Sequence, residues 1–510
     1  MSIDPDLKSI QEVRDCLRVA KSAQKQFADA SQEQVDRIVD AIARAAQAEI
    51  EPLARMAVEE TGMGVYEDKI VKNRFAAVDV YENIRPLRTV GILSENPEKR
   101  LVEIAQPMGV VAAIIPTTNP TSTAIYKILI AVKARNAIVI SPHPRARRCI
   151  AHTAGLLARA AIQAGAPDGL ISCLSEPTLE STQHLMSHPH TAVILATGGG
   201  GLVKAAYSSG KPAFGVGPGN VPAYIDRSAD VAQACRDIIT GTSFDNGTIC
   251  ASEQSVVVDA PVEDEVIREL QAAGGYFVTA EEKARLERVV VQRSGAIDPA
   301  IVGKHARVIA EKAGITVPPN TLALIARLDK VGRGIEPLSV EKLSPLLGFY
   351  VESDWVAACE RCLDLLAVGG MGHTLAIHAR DEAVIREFGF KKPVFRVVVN
   401  TSSTFGAIGA STGLAPSLTL GCGTFGGNVT SDNVSAEHLI QIKRLAYGLR
   451  PVSLPPRAGE GGLATRAGLA PTRRSESSTD ASTGAASGHV LTEEDIERIV
   501  QNFLRERRRS

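Results

Sequence analysis

The chain has 510 residues, of which 45% are hydrophobic, so it can bury large cores, and its length predicts roughly three domains or two large domains and a tail. Lysine and arginine number 56 against 57 acidic residues, and the resulting net charge of -1 provides no broad attraction to nucleic acid or an anionic membrane. The N-terminus has no apolar signal core, and no stretch approaches the roughly 18 apolar residues of a membrane span. We therefore expect a soluble, cytoplasmic protein without a nucleic-acid partner.

The eight cysteines are scattered along the chain, which is typical of a reducing compartment. Cys359 and Cys362 form a CxxC pair, but the surrounding SDWVAACERCLDLLAVGG has the spacing of an amphipathic helix, and no second CxxC exists. We expect no metal site.

In chain order, apolar spacing predicts helices over about 9–81, with one of them ending at Gly62. An edge strand follows, then a turn at 107–109 and a fully buried strand at 110–115. Helix and strand patterns then alternate with short connections, and a second unit of this kind runs from about 221 to 400. This alternation predicts an α/β fold with mostly parallel, doubly wound sheets.

The composition changes near residue 450. Residues 450–489 are rich in Pro, Gly, Ser, Ala and Thr and predict a disordered linker. Residues 490–510 predict a short amphipathic helix that begins near Thr492 and has an apolar face, formed by Ile496, Ile499, Val500, Phe503 and Leu504. This helix has three alternative roles: folding back on its own domain, docking on another protein, or lying on a membrane surface.

Cys250 lies in the stretch DNGTICASEQSVVV, between an Asn246-Gly247 turn and a strand-forming run of valines. A cysteine in such a place is either a small buried side chain or a nucleophile. The turn favours a nucleophile, because backbone N–H groups near a turn stabilise a thiolate.

A run of glycines follows a predicted strand in ATGGGGLVKAAY, where Thr197 precedes Gly198, Gly199, Gly200 and Gly201. The free N–H groups of the following helix are suited to a phosphate or a nicotinamide, although a tight turn alone also explains the glycines. The dinucleotide fingerprint G-x-G-x-x-G is not present after the first strand.

The chain from about residue 9 to 447 resembles the CoA-acylating branch of the aldehyde dehydrogenase superfamily, which includes enzymes of bacterial microcompartments and the aldehyde half of bifunctional aldehyde–alcohol dehydrogenases. Six segments in order carry the resemblance: IIPTTNPTSTAIYKILIAVKARNAIVISPHPRA, ATGGGGLVKAAYSSGKPAFGVGPGNVPAYID, GTICASEQS, EPLSVEKLSPLLGFY, GGMGHTLAIH and LTLGCGTFGGNVTSDNVSAEHLIQIKRLAYG.

The resemblance implies an aldehyde dehydrogenase fold with a Rossmann-like cofactor domain (1–220), a catalytic domain (221–400), and a return segment (401–449). A β-arm at about 87–107 would join subunits into a homodimer or homotetramer. The linker and 490–510 resemble the cargo peptides of microcompartment enzymes, which implies a shell protein as a partner.

The resemblance also implies a mechanism in which Cys250 attacks an aldehyde and becomes a thioester after hydride transfer to NAD. Thr118, Asn119 and the Cys250 backbone are candidate donors to the oxyanion. His373 is a candidate for substrate contact or proton transfer, or else a structural histidine. Glu341 resembles a glutamate near the nicotinamide ribose and is a candidate for both catalysis and cofactor binding, or else part of a surface salt bridge. The implied cofactor set is completed by Pro116, Thr117, Ser141, His143, Pro144, Thr197, Gly198, Gly199, Gly200 and Gly217.

Two departures from the hydrolytic branch predict the second half of the reaction. Its water-activating glutamate is absent from GVGPGN (215–220), and Ser141 stands where that branch has a lysine for the cofactor ribose. Both favour transfer of the acyl group to CoA over hydrolysis. Two alternatives stay open for the reaction: a free-acid product, and a substituted aldehyde such as sulfoacetaldehyde as the substrate. For Glu253, the alternatives are a carboxylate partner of Cys250 and a helix cap.

Overall fold

The structure is a computed structural model that describes residues 4–452. Its strands are β1 (Ile92–Asn96), β2 (Leu101–Pro107), β3 (Val110–Ile115), β4 (Ala137–Pro142), β5 (Ile171–Cys173), β6 (Thr191–Thr197), β7 (Ala213–Val216), β8 (Val221–Ile225), β9 (Glu253–Asp259), β10 (Gly275–Phe277), β11 (Ala323–Arg327), β12 (Leu346–Glu352), β13 (Leu375–His378), β14 (Val397–Val399) and β15 (Ile440–Ala446).

The helices are α1 (Pro5–Phe27), α2 (Gln32–Ala48), α3 (Ile50–Thr61), α4 (Tyr66–Arg74), α5 (Val80–Ile84), α6 (Pro120–Lys133), α7 (Arg147–Gln163), α8 (Leu179–Ser187), α9 (Gly200–Tyr207), α10 (Val231–Ser243), α11 (Glu263–Ala272), α12 (Ala280–Val290), α13 (Ala306–Lys312), α14 (Trp355–Gly369), α15 (Glu382–Lys391) and α16 (Ser403–Ala407). A π-helical segment, Phe75–Asp79, connects α4 to α5. The predicted α/β alternation is confirmed.

A five-stranded parallel sheet has the order β5-β4-β3-β6-β7. In chain order this is 3-2-1-4-5, so the direction of winding reverses between β3 and β6. Both central strands β3 and β4 are buried along their whole length, because helices cover both faces of the sheet. A ligand crevice is expected at the carboxyl ends of β3 and β6, where the winding reverses.

A seven-stranded parallel sheet follows, in the order β10-β11-β12-β9-β8-β13-β14. Its strands alternate their side chains between two cores: Val256 and Val258 of β9 belong to one cluster, and Val257 to the other. The valines of β9 are consecutive in the sequence because both faces of the strand are buried, each against a different hydrophobic cluster.

The third sheet is antiparallel, in the order β1-β2-β15, and pairs the predicted arm with a segment more than 300 residues later, as in Gln106 opposite Gln441. We call β1, β2 and β15 the arm sheet. Exposed apolar side chains on it include Ile92, Ile442 and Leu445.

Local sequence signals explain several helix ends. Ser31 and Gln34 form a capping box at the start of α2. The predicted end of α3 at Gly62 is confirmed, with the left-handed φ of 63° that favours glycine. Cys359 and Cys362 are buried in α14 as predicted, and no cluster of metal-ligating side chains occurs in the described part of the chain.

Within residues 4–452, no helix combines the length and apolar character needed to cross a bilayer. The predicted helix at 490–510, and the predicted linker apart from its first three residues, lie outside the described residues. The division into domains stays a prediction.

Truncation of Ile138 tests the core of the five-stranded sheet. Ile138 of β4 is fully buried, so Ile138→Ala should lower the free energy of unfolding by about 2–5 kcal/mol through lost burial and a cavity. Ile162→Ala is the matched control because that side chain is 42% exposed, and its loss should stay within about 0.5 kcal/mol. Urea unfolding followed by circular dichroism measures both; equal losses would contradict this account of the core.

Candidate active site

A cavity of about 920 Å³ opens at the carboxyl ends of β3, β4 and β6. It is lined by all the residues predicted for the cofactor and by four of the five predicted for catalysis, Thr118, Asn119, Cys250 and Glu341, whereas His373 is not at its wall. The cofactor candidates at its wall are Pro116, Thr117, Ser141, His143, Pro144, Thr197, Gly198, Gly199, Gly200, Gly217 and Glu341. Residues as far apart in sequence as Pro116 and Glu341 thus meet at one cavity.

One wall of this cavity fits a nucleotide phosphate. Helix α9 begins at Gly200, with Gly199 as its N-cap, and its unpaired N–H groups favour an anion. A Cβ atom built at Gly199, Gly200 or Gly201 would meet nothing within 4 Å, so open space adjoins the backbone there. Within the described residues the buried Thr197 Oγ1 has no hydrogen-bond partner, which leaves it available to a ligand.

Cys250 follows a turn of unusual backbone conformation. Asp245, Asn246 and Gly247 have φ values of 49°, 54° and 71°, in the left-handed region that is costly for residues other than glycine. The carbonyl of Cys250 packs so closely on Gly219 that a Cβ there would lie 1.8 Å from its oxygen. Among the eight cysteines, all within the described residues, Cys250 is the one at the wall of the cavity.

The side chain of Cys250 contacts a histidine. Nε2 of His373 lies 3.3 Å from Cys250 Sγ, and its Nδ1 lies 2.9 Å from Thr374 Oγ1. Burial lowers the pKa of His373 to about 3, and the charge of Arg396 adds to this. Burial also raises the pKa of Cys250 to about 12, assisted by the Glu341 carboxylate. The pair therefore rests as a neutral thiol and a neutral imidazole. When the imidazole carries its own proton on Nδ1, Nε2 is free to accept the proton of the Cys250 thiol.

Asn119 precedes α6 and lies beside the nucleophile's loop. Its Nδ2 donates to Thr248 O at 3.1 Å and to Thr118 Oγ1 at 3.2 Å, and its Oδ1 accepts from Lys72 Nζ at 2.6 Å. The amide N–H groups thus face the segment that leads to Cys250. The bond to Thr118 is long, so an anionic oxygen would compete for that N–H.

Glu341 is the one carboxylate at the cavity wall within the described chain. Its Oε1 accepts from Gly219 N at 2.8 Å, and burial raises its pKa to about 7. The neighbouring Lys342 donates to the carbonyls of Leu338 and Val340 at 2.8 Å each, and burial lowers its pKa to about 7. Both groups therefore titrate near neutral pH.

A buried ionic cluster, which sequence reasoning missed, supports the nucleophile's loop. Asp245 is fully buried and pairs with Lys69 Nζ at 2.6 Å and with Lys72 Nζ. The same carboxylate accepts from Thr248 Oγ1 at 2.6 Å and from Val65 N at 2.8 Å. We call Lys69, Lys72 and Asp245 the buried ionic cluster. The one sequence feature that could have indicated this cluster is the spacing of Lys69 and Lys72, which are three residues apart on α4 and therefore lie on one face of the helix.

Arg396 is a second charged group that the sequence pattern did not single out. Its side chain is 3% exposed, and within residues 4–452 no carboxylate forms an ion pair with it. Its guanidinium donates to the carbonyls of Gly421 and Ser431. The positive charge lowers the pKa of Cys250 and of Cys422, against the larger effect of burial.

Glu253 is placed as a helix cap rather than as a partner of Cys250. Its Oε1 accepts from Ser403 N, the first residue of α16, at 2.6 Å, and from Ser402 Oγ at 3.2 Å. Helix α16 carries Phe405, whose ring lies 4.7 Å from that of Phe244. Glu253 thus anchors the aromatic pair beside the nucleophile's loop, and its burial raises its pKa to about 7.

The model of the aldehyde dehydrogenase family matches residues 5–279 of this sequence, more than half of the chain. The chain belongs to the aldehyde dehydrogenase family. The resemblance found in the sequence is therefore confirmed, and the sheets described above are the framework of that family's fold in this aldehyde dehydrogenase.

Individual proteins with known names or structures are also similar to this chain. The bifunctional aldehyde-alcohol dehydrogenase of Escherichia coli (strain K12) is 46% identical over 443 residues, which are 86% of this chain and 50% of the relative. The chain thus spans about half the length of that protein. The crystal structure of an acetylating aldehyde dehydrogenase from Geobacillus thermoglucosidasius has a TM-score of 0.87 and 54% identity, covering 89% of this chain and 100% of that one.

A propionaldehyde dehydrogenase of Rhodopseudomonas palustris, solved with bound CoA and an acylated cysteine, has a TM-score of 0.78 and 29% identity. The match covers 85% of this chain and 97% of that chain. That relative therefore has CoA and an acylated cysteine together in one crystal structure.

The raised pKa of Glu341 predicts that Glu341→Gln increases the free energy of unfolding by an amount that depends on pH. The folded protein binds the carboxyl proton of Glu341 more tightly than the unfolded chain does. The contribution of this proton to stability is therefore fully present below pH 4.5, the ordinary pKa of glutamate, and is lost as the pH rises through about 7. Glutamine keeps the bond from Gly219 but cannot ionise. Its advantage in free energy of unfolding should therefore grow by about 2 kcal/mol from pH 5.5 to pH 8.5.

Denaturant unfolding of both proteins at the two pH values measures this difference. Glu98→Gln is the matched control because that carboxylate is exposed, and its difference should not change with pH. A pH-independent effect of Glu341→Gln would contradict the raised pKa.

Proposed function

We propose that this protein is a CoA-acylating aldehyde dehydrogenase that uses NAD. Its overall reaction converts an aldehyde, NAD⁺ and the CoA thiol to an acyl-CoA, NADH and a proton. The observation that carries the proposal is the contact of 3.3 Å between Cys250 Sγ and a neutral His373, next to Asn119 at the wall of a nucleotide-sized cavity.

In the first half-reaction the S–H proton of Cys250 moves to His373 Nε2, and the thiolate forms a bond to the aldehyde carbon. The carbonyl oxygen becomes an oxyanion, which accepts from Asn119 Nδ2 in place of Thr118 Oγ1. When bound along the wall formed by the start of α9 and the end of β4, NAD would supply the acceptor for the hydride of that carbon. The acyl group then remains on Cys250 as a thioester.

In the second half-reaction the CoA thiol loses its proton to solvent and its sulfur forms the new thioester bond, while the Cys250 thiolate leaves and takes back the proton held by His373. Residues 216–219, where the hydrolytic branch has its base, are Val, Gly, Pro and Gly, and three of them line the cavity. Water therefore lacks its usual activator, whereas a thiol is a good nucleophile once partly ionised.

In this proposal the cofactor is held by the backbone N–H groups at the start of α9, near Gly199 and Gly200, and by the cavity wall at the end of β4. Ser141, His143 and Pro144 line the cavity there, and Ser141 Oγ is bonded to Thr182 Oγ1 at 2.8 Å. Ser141 is uncharged and stands where the hydrolytic branch has its ribose-binding lysine. A loosely held NADH would leave readily and make room for CoA. Arg145 and Arg333 at the cavity wall supply positive charge for phosphates.

The acyl group is short and unsubstituted in this proposal. Cys250 packs against the hydrophobic cluster that contains Ile249, Ile408 and Leu420, and these three side chains line the cavity. An apolar wall favours the alkyl group of acetaldehyde or propanal over a hydroxylated or sulfonated chain, whose polar group would lose hydration without a partner.

Hydrolysis to the free acid is the second candidate, and one observation favours it. Glu341 lies at the cavity wall with its pKa raised to about 7, as a general base for water requires. The product therefore has to be identified, and cofactor reduction alone does not separate the two candidates.

The deciding experiment follows NADH formation from acetaldehyde and propanal, with and without CoA, and identifies the product by mass spectrometry. We expect turnover that depends on CoA and yields acyl-CoA. Cys250→Ala should lower kcat at least about 10⁴-fold because no thioester can form. The matched control is Cys235→Ala, a buried cysteine in the core of the seven-stranded sheet, which should keep its activity.

CoA-independent formation of free acid would replace the acylating proposal by the hydrolytic one, with Glu341→Gln as its diagnostic variant. Turnover with sulfoacetaldehyde but with neither alkyl aldehyde would contradict the substrate assignment. Full activity in Cys250→Ala would remove the thioester mechanism itself.

For assembly, we propose that the arm sheet joins subunits into a homodimer or homotetramer. Its two outer strands, β1 and β15, have one neighbour each within the described chain, and apolar side chains on the sheet are exposed. A second subunit would bury these groups.

For location, we propose that residues 490–510 direct the enzyme to the protein shell of a bacterial microcompartment. The support is the sequence pattern of an amphipathic stripe behind a polar linker, together with the volatile, reactive aldehyde that a shell would retain.

A fluorescent protein fused to residues 488–510 should co-localise with co-expressed shell proteins in cells. Replacing Ile496, Val500 and Phe503 in the fusion by serine should disperse the fluorescence, because the apolar stripe is lost. Diffuse fluorescence of the unaltered fusion would contradict shell targeting.

A further inference from the structure

Lys72 of α4 is the only member of the buried ionic cluster in the described chain whose ammonium contacts the Asn119 side chain. It is 3% exposed, and it donates to Asn119 Oδ1 at 2.6 Å and to Thr248 Oγ1 at 2.8 Å, besides pairing with Asp245. Its three acceptors belong to the strand-to-helix loop after β3 and to the loop before Cys250. One side chain therefore connects the amide of Asn119 to the loop of the nucleophile.

The ammonium determines which end of the Asn119 amide faces the nucleophile's loop. An ammonium only donates hydrogen bonds, so it has to face Oδ1. A rotation of the amide by half a turn would place Nδ2 against Lys72, with two donors in contact, and Oδ1 against the carbonyl of Thr248, with two acceptors in contact. The observed orientation is the one that satisfies both neighbours.

We propose that Lys72 is a positioning residue for the reaction, which acts through Asn119 by holding its N–H toward the oxyanion formed at Cys250. This inference rests on the proposed function, in which Asn119 donates to that oxyanion. The inference is narrower than the proposed function, because Asn119 could donate to the oxyanion without requiring Lys72.

The cluster keeps Lys72 charged and in place. Burial lowers its pKa to about 8, and the Asp245 carboxylate opposes that effect. The positive charge next to Oδ1 polarises the amide and makes its N–H a stronger donor in a low-dielectric site. The arrangement exists before substrate binds, so no reorganisation is needed when negative charge develops.

Lys69 provides the matched control. It is equally buried on the same helix, and its ammonium pairs with the same Asp245 carboxylate at 2.6 Å, but its other bond goes to the backbone carbonyl of Thr118 at 2.5 Å. Removal of either ammonium leaves Asp245 one partner short. Only removal of Lys72 frees the Asn119 side chain.

The test is a double-mutant cycle of Lys72→Met with Asn119→Ala, and a parallel cycle with Lys69→Met. Steady-state kcat and KM, and the single-turnover rate of NADH formation, are measured with the full chain, and thermal unfolding is recorded for each variant. We expect Lys72→Met to lower kcat about 10²-fold with KM changed less than about threefold, as for loss of an oxyanion donor.

In the Asn119→Ala background, Lys72→Met should then cost less than about threefold further, because its target is already gone. Lys69→Met should cost the same factor in both backgrounds. If Lys72→Met also costs the same factor in both, its role is merely structural and the inference is overturned, while the proposed function stands.

If Lys72→Met does not fold, Lys72→Gln decides in the same way, since its neutral amide is a smaller perturbation that removes the charge. Non-additivity with Asn119→Ala supports the inference and additivity overturns it. Unchanged kcat in Asn119→Ala would remove both the inference and the oxyanion role of Asn119 in the proposed function.

Discussion

The buried carboxylate of Asp245 is the interaction on which the active site depends. It holds two ammonium groups of α4 and one hydroxyl of Thr248 inside a region that excludes water. An unpaired charge at such depth costs about 3–5 kcal/mol, so the three partners stay together or the loop is lost. Because Asp245 is also the first of three residues with positive φ before Cys250, the ion pairs hold a backbone conformation that the turn alone would not keep.

Burial then determines the protonation states around the nucleophile. It raises the pKa of Cys250 and Glu341 and lowers the pKa of His373 and Lys342, so each shift favours the neutral form. Transfer of a proton from Cys250 to His373 creates both charges at contact distance, where they stabilise each other. In the proposed mechanism, such a site keeps the Cys250 thiol protonated until a substrate carbonyl is in place to accept the new negative charge.

The elements that the sequence predicted well are those with strong local patterns. The fully buried β3 and the largely apolar β4 have helices on both sides, and the end of α3 at Gly62 depends on one residue's conformational freedom. The cavity wall was also predictable, because parallel strands that alternate with helices bring their carboxyl ends together. The buried ionic cluster was not, since Lys72 and Asp245 are 173 positions apart and neither belongs to a pattern with the other. Arg396 was missed for the same reason, because one arginine before a short strand has the same local sequence whether it is buried or exposed.

The sequence by itself determined the α/β class and the absence of a carboxylate at 216–219, and it singled out Cys250 as the candidate nucleophile, since each of these depends on residue identity and on neighbours a few positions away. Only the tertiary structure decided that His373 contacts Cys250, that Glu253 caps α16, and that Lys72 donates to Asn119. These contacts join segments brought together by two sheets and a helical layer, and their pKa shifts come from burial. Burial is a property of the folded chain, because it depends on every residue that surrounds a group in space rather than on the few that flank it in sequence.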